Sequence, residues 1–323
     1  MTPAEHTAEH TAEHTAEPAP GRERVAVVVV TFNRADLLTG MLAGLAGLER
    51  PADAVFVVDN ASTDHTRAVL EACTLPGLVP IHAEENLGGA GGFHLGLRTA
   101  FDEGYDVMWL MDDDVVPAPD CLTRLLEAEG DCLVAVREDL SGALVEKAAT
   151  RFDLRNPLSV RPKTASVETT FGERAAMPAT VPVENAAFEG FLVRREVVAR
   201  IGFPDPSYFI FYDDVDYVVR ARRAGFTVNA VRDAVLVRQL DFNQQHDLAG
   251  WKGYFMYRNL FAVHFRYGEN ALVRAKPWLI AGAVVALSPL RGGRAEARNV
   301  SRALRDARRM RRPDPAALPP ARA

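Results

Sequence analysis

Between Arg24 and Val136 short β-branched runs alternate with stretches whose apolar side chains recur every three or four positions. VAVVVV (25–30), AVFVVD (54–59) and YDVMWLM (105–111) are apolar along nearly their whole length, and a shorter strand is predicted around 79–82. Helices are predicted over 35–48, from near Asp64 onward, and over 92–103. Strands that are apolar throughout and joined by helices imply an α/β fold, with a mostly parallel, Rossmann-like central sheet flanked by helices. Residues 140–182 lack a clear period and predict irregular or short antiparallel structure. AFEGFLV (187–193) predicts a strand and 194–200 a helix. The aromatic run YFIFY (208–212) leads into a helix that starts on aspartates and stops at Gly225. A strand over about 226–238 follows, then a helical extension and a Pro-rich end.

The expected organisation is a disordered tail over 1–22, the α/β domain over 23–240, a helical region over 241–312 and a second disordered tail over 313–323. The first tail repeats E-H-T-A at positions 5–16 and is too polar to bury a core. His6, His10 and His14 would share a face if it were helical, so metal capture stands beside the plainer reading of a solvated tail.

Composition narrows the class. The net charge of −6 gives no reason to expect nucleic acid as a partner. Cys73, Cys121 and Cys132 are odd in number and show no C-x-x-C spacing, which suits reduced thiols rather than a disulfide frame or zinc site. The N-terminus shows no basic region followed by an apolar run, and Pro277–Leu287 is short for a bilayer span. A cytoplasmic location is expected. Nine arginines between 291 and 312 face only Glu296 and Asp306. This stretch could hold the protein on an anionic membrane surface as a peripheral protein, or form a solvated helix face.

Ligands of parallel sheets bind beyond the carboxyl ends of the strands, and the polar clusters of this chain lie there. Asp112, Asp113 and Asp114 end one apolar strand. Three adjacent carboxylates repel unless a hard divalent cation such as Mg2+ or Mn2+ compensates them; the alternative is a solvated acidic turn. Asp59 and Asn60 end another strand, where Asp59 could accept hydrogen bonds from a base or ribose while Asp64 caps the next helix. Asn86, Gly88, Gly89, Gly91 and Gly92 precede a helix and could bring backbone N–H groups close to a ligand, or form a flexible loop. Asp213, Asp214 and Asp216 open a helix, where a general base and a helix cap are both open readings. Asp216 is expected to pair with Arg220, four residues on. Trp251, Tyr254, Tyr257 and Arg258 recur at helical spacing and could line an acceptor groove or pack in a core.

Taken together, and from about Val25 to Tyr267, these segments resemble the family 2 glycosyltransferases of the GT-A fold. VAVVVVTFNR (25–34) is similar to that family's opening strand and nucleotide-contacting loop, Asp59 to its uracil-side aspartate, and Asp112–Asp114 to its D-x-D metal motif. YFIFYDDVDYVVRARRAGF is similar to its acceptor-side segment, in which the second acid of the pair, here Asp214, is the base beside Asp213. The resemblance implies donor contacts at Thr31, Asn33, Arg34, Asp59, Asn60, Asn86, Gly88, Gly89, Asp112 and Asp113. It implies Mn2+ or Mg2+ on Asp112 and Asp114, and acceptor contacts at Gly190, Trp251 and Tyr254.

The family often places a metal-binding histidine after the strand that follows the base helix. Here Arg238 and Gln239 stand there, and His246 is either a replacement from a loop or a bystander. NLGGAGGF and WLMDDD look most like bacterial galactofuranosyltransferases, with rhamnosyltransferases using a TDP-sugar next. The implied reaction moves a sugar from a nucleotide-sugar donor, with inversion, onto a hydroxyl of a glycan or polyprenyl-linked glycan. Two other readings are a nucleotidyltransferase, which would want a Gly-rich loop where TFNR stands, and a non-catalytic sugar-nucleotide or glycan-binding protein.

Overall fold

The computed structural model describes residues 22–159, 161–240, 248, 250–288 and 294–319. The first half runs β1 (Val25–Thr31), α1 (Ala35–Ala46), β2 (Ala54–Asp59), α2 (Thr66–Ala72), β3 (Leu78–His82), α3 (Gly88–Asp102), β4 (Val107–Asp112), β5 (Val115–Pro117), α4 (Cys121–Glu127) and β6 (Cys132–Glu138). Then come β7 (Arg151–Phe152), β8 (Lys163–Ala165), α5 (Val167–Phe171), β9 (Thr180–Pro182), β10 (Phe191–Arg194), α6 (Arg195–Ile201), α7 (Asp213–Arg223) and β11 (Val228–Arg238). Three helices follow: α8 (Trp251–Tyr267), α9 (Ala271–Leu287) and α10 (Arg294–Ala307).

The main sheet has the order β3-β2-β1-β4-β10-β6-β11-β5, with β9 also on β11; β7 and β8 form a separate antiparallel pair. β3, β2, β1 and β4 are parallel, and β10 is inserted antiparallel between β4 and β6. Side chains of a strand alternate between faces, so an apolar run is explained only if both faces are covered. In β1, Ala26, Val28 and Val30 pack with Phe93 and Leu97 of α3, while Val25, Val27 and Val29 pack with Leu38, Met41 and Leu45 of α1. A third core joins Tyr257 and Phe261 of α8 to Val300 and Ala303 of α10.

Three elements depart from expectation. The glycine-rich stretch is the first turn of α3 rather than a loop before it, and the helix begins at Gly88. Packing explains this: a Cβ on Gly92 would come within 2.6 Å of Val30, and one on Gly96 within 2.4 Å of Val28. Small residues let the helix lie directly on the sheet, and that contact outweighs their poor helix propensity. The strand expected over 187–193 begins only at Phe191, because Gly190 has φ +96. Of the Pro-rich tail, residues 313–319 are docked: Pro315–Ala317 form a 3-10 turn, Ala317 is buried, and its carbonyl accepts from Phe203 N at 3.0 Å.

Candidate active site

Parallel pairing brings the strand ends together. Thr31 of β1 is level with Asp59 of β2, and Val30 is level with Asp112 of β4. Beyond this edge lies a cavity of about 910 Å³ whose wall includes Thr31, Arg34, Asn60, Asn86, Gly88, Gly89, Asp112, Asp113, Asp114, Asp213, Asp214 and Trp251. Residues far apart in sequence, from β1 to the start of α8, therefore face one space.

On the donor side the expected residues divide in two. Asn60 donates from Nδ2 to Gly88 O at 3.0 Å, and its buried Oδ1 has no hydrogen-bond partner among the described residues. Such a lone acceptor on a cavity wall suits a ligand donor. Asn86 Oδ1 accepts from Gly88 N at 2.8 Å and shapes the turn into α3. Gly88 has φ +69, and a Cβ there would sit 2.1 Å from Phe209 O. Asn33 and Asp59 stand outside the wall. Asn33 Oδ1 accepts from Thr63 N at 2.7 Å and Asp64 N at 3.3 Å, so it braces two loops. Asp59 is buried, accepts from Ser62 N at 2.9 Å and meets His82 Nδ1 at 3.2 Å. Asp64 accepts from the N–H groups of Thr66 and Ala35, satisfying the starts of two helices at once.

The three aspartates are not equivalent. Asp113 is occupied, accepting from Thr31 Oγ1 at 2.7 Å and Arg34 NH1 at 2.9 Å. Asp114 lies 3.5 Å from Arg34, and its buried Oδ1 has no hydrogen-bond partner among the described residues. Burial, then the nearby Glu189 carboxylate, pushes the carboxyls of Asp112 and Asp114 above the ordinary range, Asp112 by far the more. An unpartnered carboxylate oxygen among mutually repelling acids fits a hard divalent cation. Among the described residues no group of three or more His, Cys, Asp or Glu side chains is arranged to hold a metal. Mg2+-like ions commonly take one or two carboxylates and complete their shell with phosphate and water. His246 lies outside the described residues.

On the wall of the same cavity, Asp213 and Asp214 open α7. Burial pushes the Asp214 carboxyl up to about 6, against the Val215 N–H and Lys163, which favour its ionised form. Asp213 is pushed well above its ordinary range, by burial and then by Asp214. Asp216 is fully buried and accepts from Tyr267 OH at 2.6 Å, Arg266 NH1 at 2.7 Å and Arg220 NE at 2.8 Å. Its role is structural, as its spacing to Arg220 implied.

Two of the three acceptor candidates lie off the cavity. Gly190 sits in the sheet, where a Cβ would come 2.3 Å from Leu236. Tyr254 donates to Asp306 at 2.8 Å and lines a separate arginine-rich hollow with Arg258, Arg302 and Arg305. The loop before α7 is held by Asn259, which sequence reading missed, and by Arg258, which it read as an acceptor-groove or core residue. Phe209, Phe211 and Tyr212 all have φ between 63 and 67, a costly conformation for aromatic residues. Asn259 of α8, fully buried, reaches the carbonyls of Tyr208, Ile210 and Phe211 at 3.0, 2.7 and 2.9 Å, and Arg258 reaches that of Ser207 at 2.7 Å. Nothing in the helical period of α8 separates a clamp asparagine from a core position. Glu189, Arg137, Lys147 and Lys163 on the cavity wall were also unforeseen.

Comparison with known proteins agrees with this arrangement. Residues 26–136 match the model of glycosyl transferase family 2. Over 271 residues the chain is 31% identical to galactofuranosyltransferase GlfT1 of Mycobacterium tuberculosis, covering 80% of this chain and 87% of that protein. The structure resembles S. aureus TarS 1-349 (TM-score 0.55, 16% identity, 89% of this chain and 80% of that one). It also resembles the mannosyltransferase PcManGT from Pyrobaculum calidifontis in complex with GDP-Man and Mn2+ (TM-score 0.51, 22% identity, 93% and 79%). Likeness at these identities shows a shared GT-A fold. The sheet, the carboxylates at its edge and the relatives together make this chain a member of glycosyl transferase family 2.

Proposed function

We propose that the chain transfers galactofuranose from UDP-galactofuranose, with inversion, onto a hydroxyl of a glycan or polyprenyl-linked glycan in cell-envelope polysaccharide synthesis. One observation carries the chemistry: Asp112 and Asp114 and the Asp213–Asp214 pair line the same cavity. The similarity to GlfT1 points to the sugar. Residues 23–240 are read as the catalytic domain.

Asp214 takes the proton of the acceptor hydroxyl as that oxygen attacks the anomeric carbon from the side opposite the diphosphate. Its raised proton affinity suits a base that must give up its proton again near neutral pH. Asn60 and the first turn of α3 receive the nucleotide. Asp112 and Asp114 would hold a Mn2+ or Mg2+ ion, which would supply charge compensation for the leaving diphosphate.

The outer face of α9 is proposed to rest on an anionic membrane surface, where a lipid-linked acceptor resides. Leu272, Trp278, Leu279, Val285 and Leu287 are exposed on it, while Lys276 turns inward and donates to Asn156 O and Ser159 O. Arg308 and Arg311 lie over the rings of Trp278 and Phe265 beside this face, a cationic border suited to anionic lipid. No helix of the described residues is long and apolar enough to cross a membrane.

Calorimetric titration with UDP and with TDP, each with and without Mn2+, tests the donor. Metal-dependent UDP binding is expected. A preference for TDP would move the assignment to rhamnosyl transfer, and binding of neither would remove the catalytic reading.

A further inference from the structure

Glu189 ends a chain of buried charges that runs from Glu146 through Arg137 to the cavity wall. Arg137 is 2% exposed and Glu146 not at all. They are joined by three hydrogen bonds: to Glu146 Oε2 from Arg137 NE at 2.9 Å and from its backbone N at 3.3 Å, and to Oε1 from NH2 at 3.0 Å. Arg137 NH1 then donates to Glu189 Oε2, and Arg238 NH2 stands 3.8 Å from the same oxygen. Burying such pairs is weak or neutral for stability, so a rigid ionic chain that ends on a cavity wall calls for a role in the cavity. Although burial opposes it, the two guanidiniums hold the Glu189 carboxyl below its ordinary range, while the acids around it are pushed up. Oε1 receives no hydrogen bond from the described residues.

Position supplies the role. Gly190 N donates to Leu110 O at 2.9 Å, which sets Glu189 beside the end of β4 that carries Asp112, and Glu189 lines the same cavity as Asp112, Asp114 and Asp214. It therefore faces the space shared by the acids read as the metal site and the base. In an in-line displacement that space belongs to the sugar being transferred.

Building on the functional reading above, we propose that Glu189 is a donor-sugar-binding residue that sets sugar specificity, its Oε1 accepting from a hydroxyl of the transferred ring. Arg137 and Arg238 hold the carboxylate in place. A carboxylate fixed before substrate arrives gives a strong, oriented hydrogen bond and rejects donors that lack the hydroxyl.

The test uses the full chain with Mn2+ and compares wild type with Glu189→Gln and Glu189→Asp. UDP alone and UDP-galactofuranose are titrated, and kcat/KM is measured for UDP-galactofuranose and for a series of donors each lacking one ring hydroxyl. The expected result is UDP affinity within about twofold of wild type and a loss of about 10- to 100-fold in kcat/KM for the full donor. For one deoxy donor that loss should vanish, because its partner is already absent. Glu189→Asp keeps the charge beside Arg137 and should melt like wild type while showing the same pattern, which covers the case of a poorly folded Gln variant. Equal losses for UDP and UDP-sugar would mean a metal or nucleotide role and overturn the proposal, as would the same loss for every donor. Wild-type turnover of UDP-galactofuranose reports on the functional reading, and the variant-to-wild-type ratios report on Glu189. If wild type uses another nucleotide-sugar, the same ratios are read on that donor.

Discussion

Asp214 carries the sharpest expectations at the scale of single residues. With its carboxyl pushed up to about 6, the base form is lost as pH falls through that value, so kcat/KM should decline on the acid side there. Asp214→Asn should cut turnover by about 100-fold or more while leaving donor affinity nearly unchanged. The same shift bears on stability. A carboxyl whose folded pKa is raised favours the fold below the ordinary carboxylate range, and that contribution is lost as pH rises through about 6. Asp214→Asn should therefore raise Tm at pH 8 by roughly 2–4 °C and leave it unchanged at pH 4, measured by calorimetric melts. Asp112→Ala should weaken Mn2+-dependent UDP binding; equal affinity in both proteins would remove Asp112 from the metal site. These aspartates were legible in the sequence because each sits where a strand or loop meets solvent. Glu189 was not, since its importance comes from Arg137 and Arg238, which only folding places beside it.

At the scale of elements, α3 shows packing overriding propensity. Four glycines in its first five residues read locally as a loop, yet the helix starts on them: a Cβ on Gly92 would press on Val30 of β1 and one on Gly88 on Phe209 O. Gly88→Ala should destabilise the protein by about 1–3 kcal/mol in urea titration, since it combines a left-handed backbone with a clash against Phe209 O. Gly89→Ala meets nothing within 4 Å and should not destabilise the fold, which makes it the matched control. The loop before α7 is the second case. Its aromatic residues gave no sign of three left-handed backbones, because that conformation is imposed from outside by Asn259 and Arg258 of α8.

Across the whole molecule, Arg266 ties the helical extension to the sheet domain. It is 2% exposed, pairs with Asp205 at 2.9 Å and Asp216 at 2.7 Å, and donates to the carbonyls of Met310 and Arg312. Arg266→Ala would leave two buried carboxylates short of a cation, and a loss of about 3–5 kcal/mol in chemical denaturation is expected. The exposed apolar face of α9 predicts co-sedimentation with anionic vesicles, weakened by salt and lost in Leu279→Asp; equal binding of both proteins would remove that face from the membrane. The sequence by itself determined the alternation of β1 to β4 with α1 to α3 and the acidic clusters at strand ends, because periodicity and turn chemistry act over a few neighbouring residues; it did not show β5, β6, β9, α4 or α5. Tertiary structure alone decided which charges share the cavity, which glycines serve packing, and which asparagine holds the loop before α7. Those partners lie on different elements, and a charge's environment is set by whatever the fold brings within a few ångströms of it.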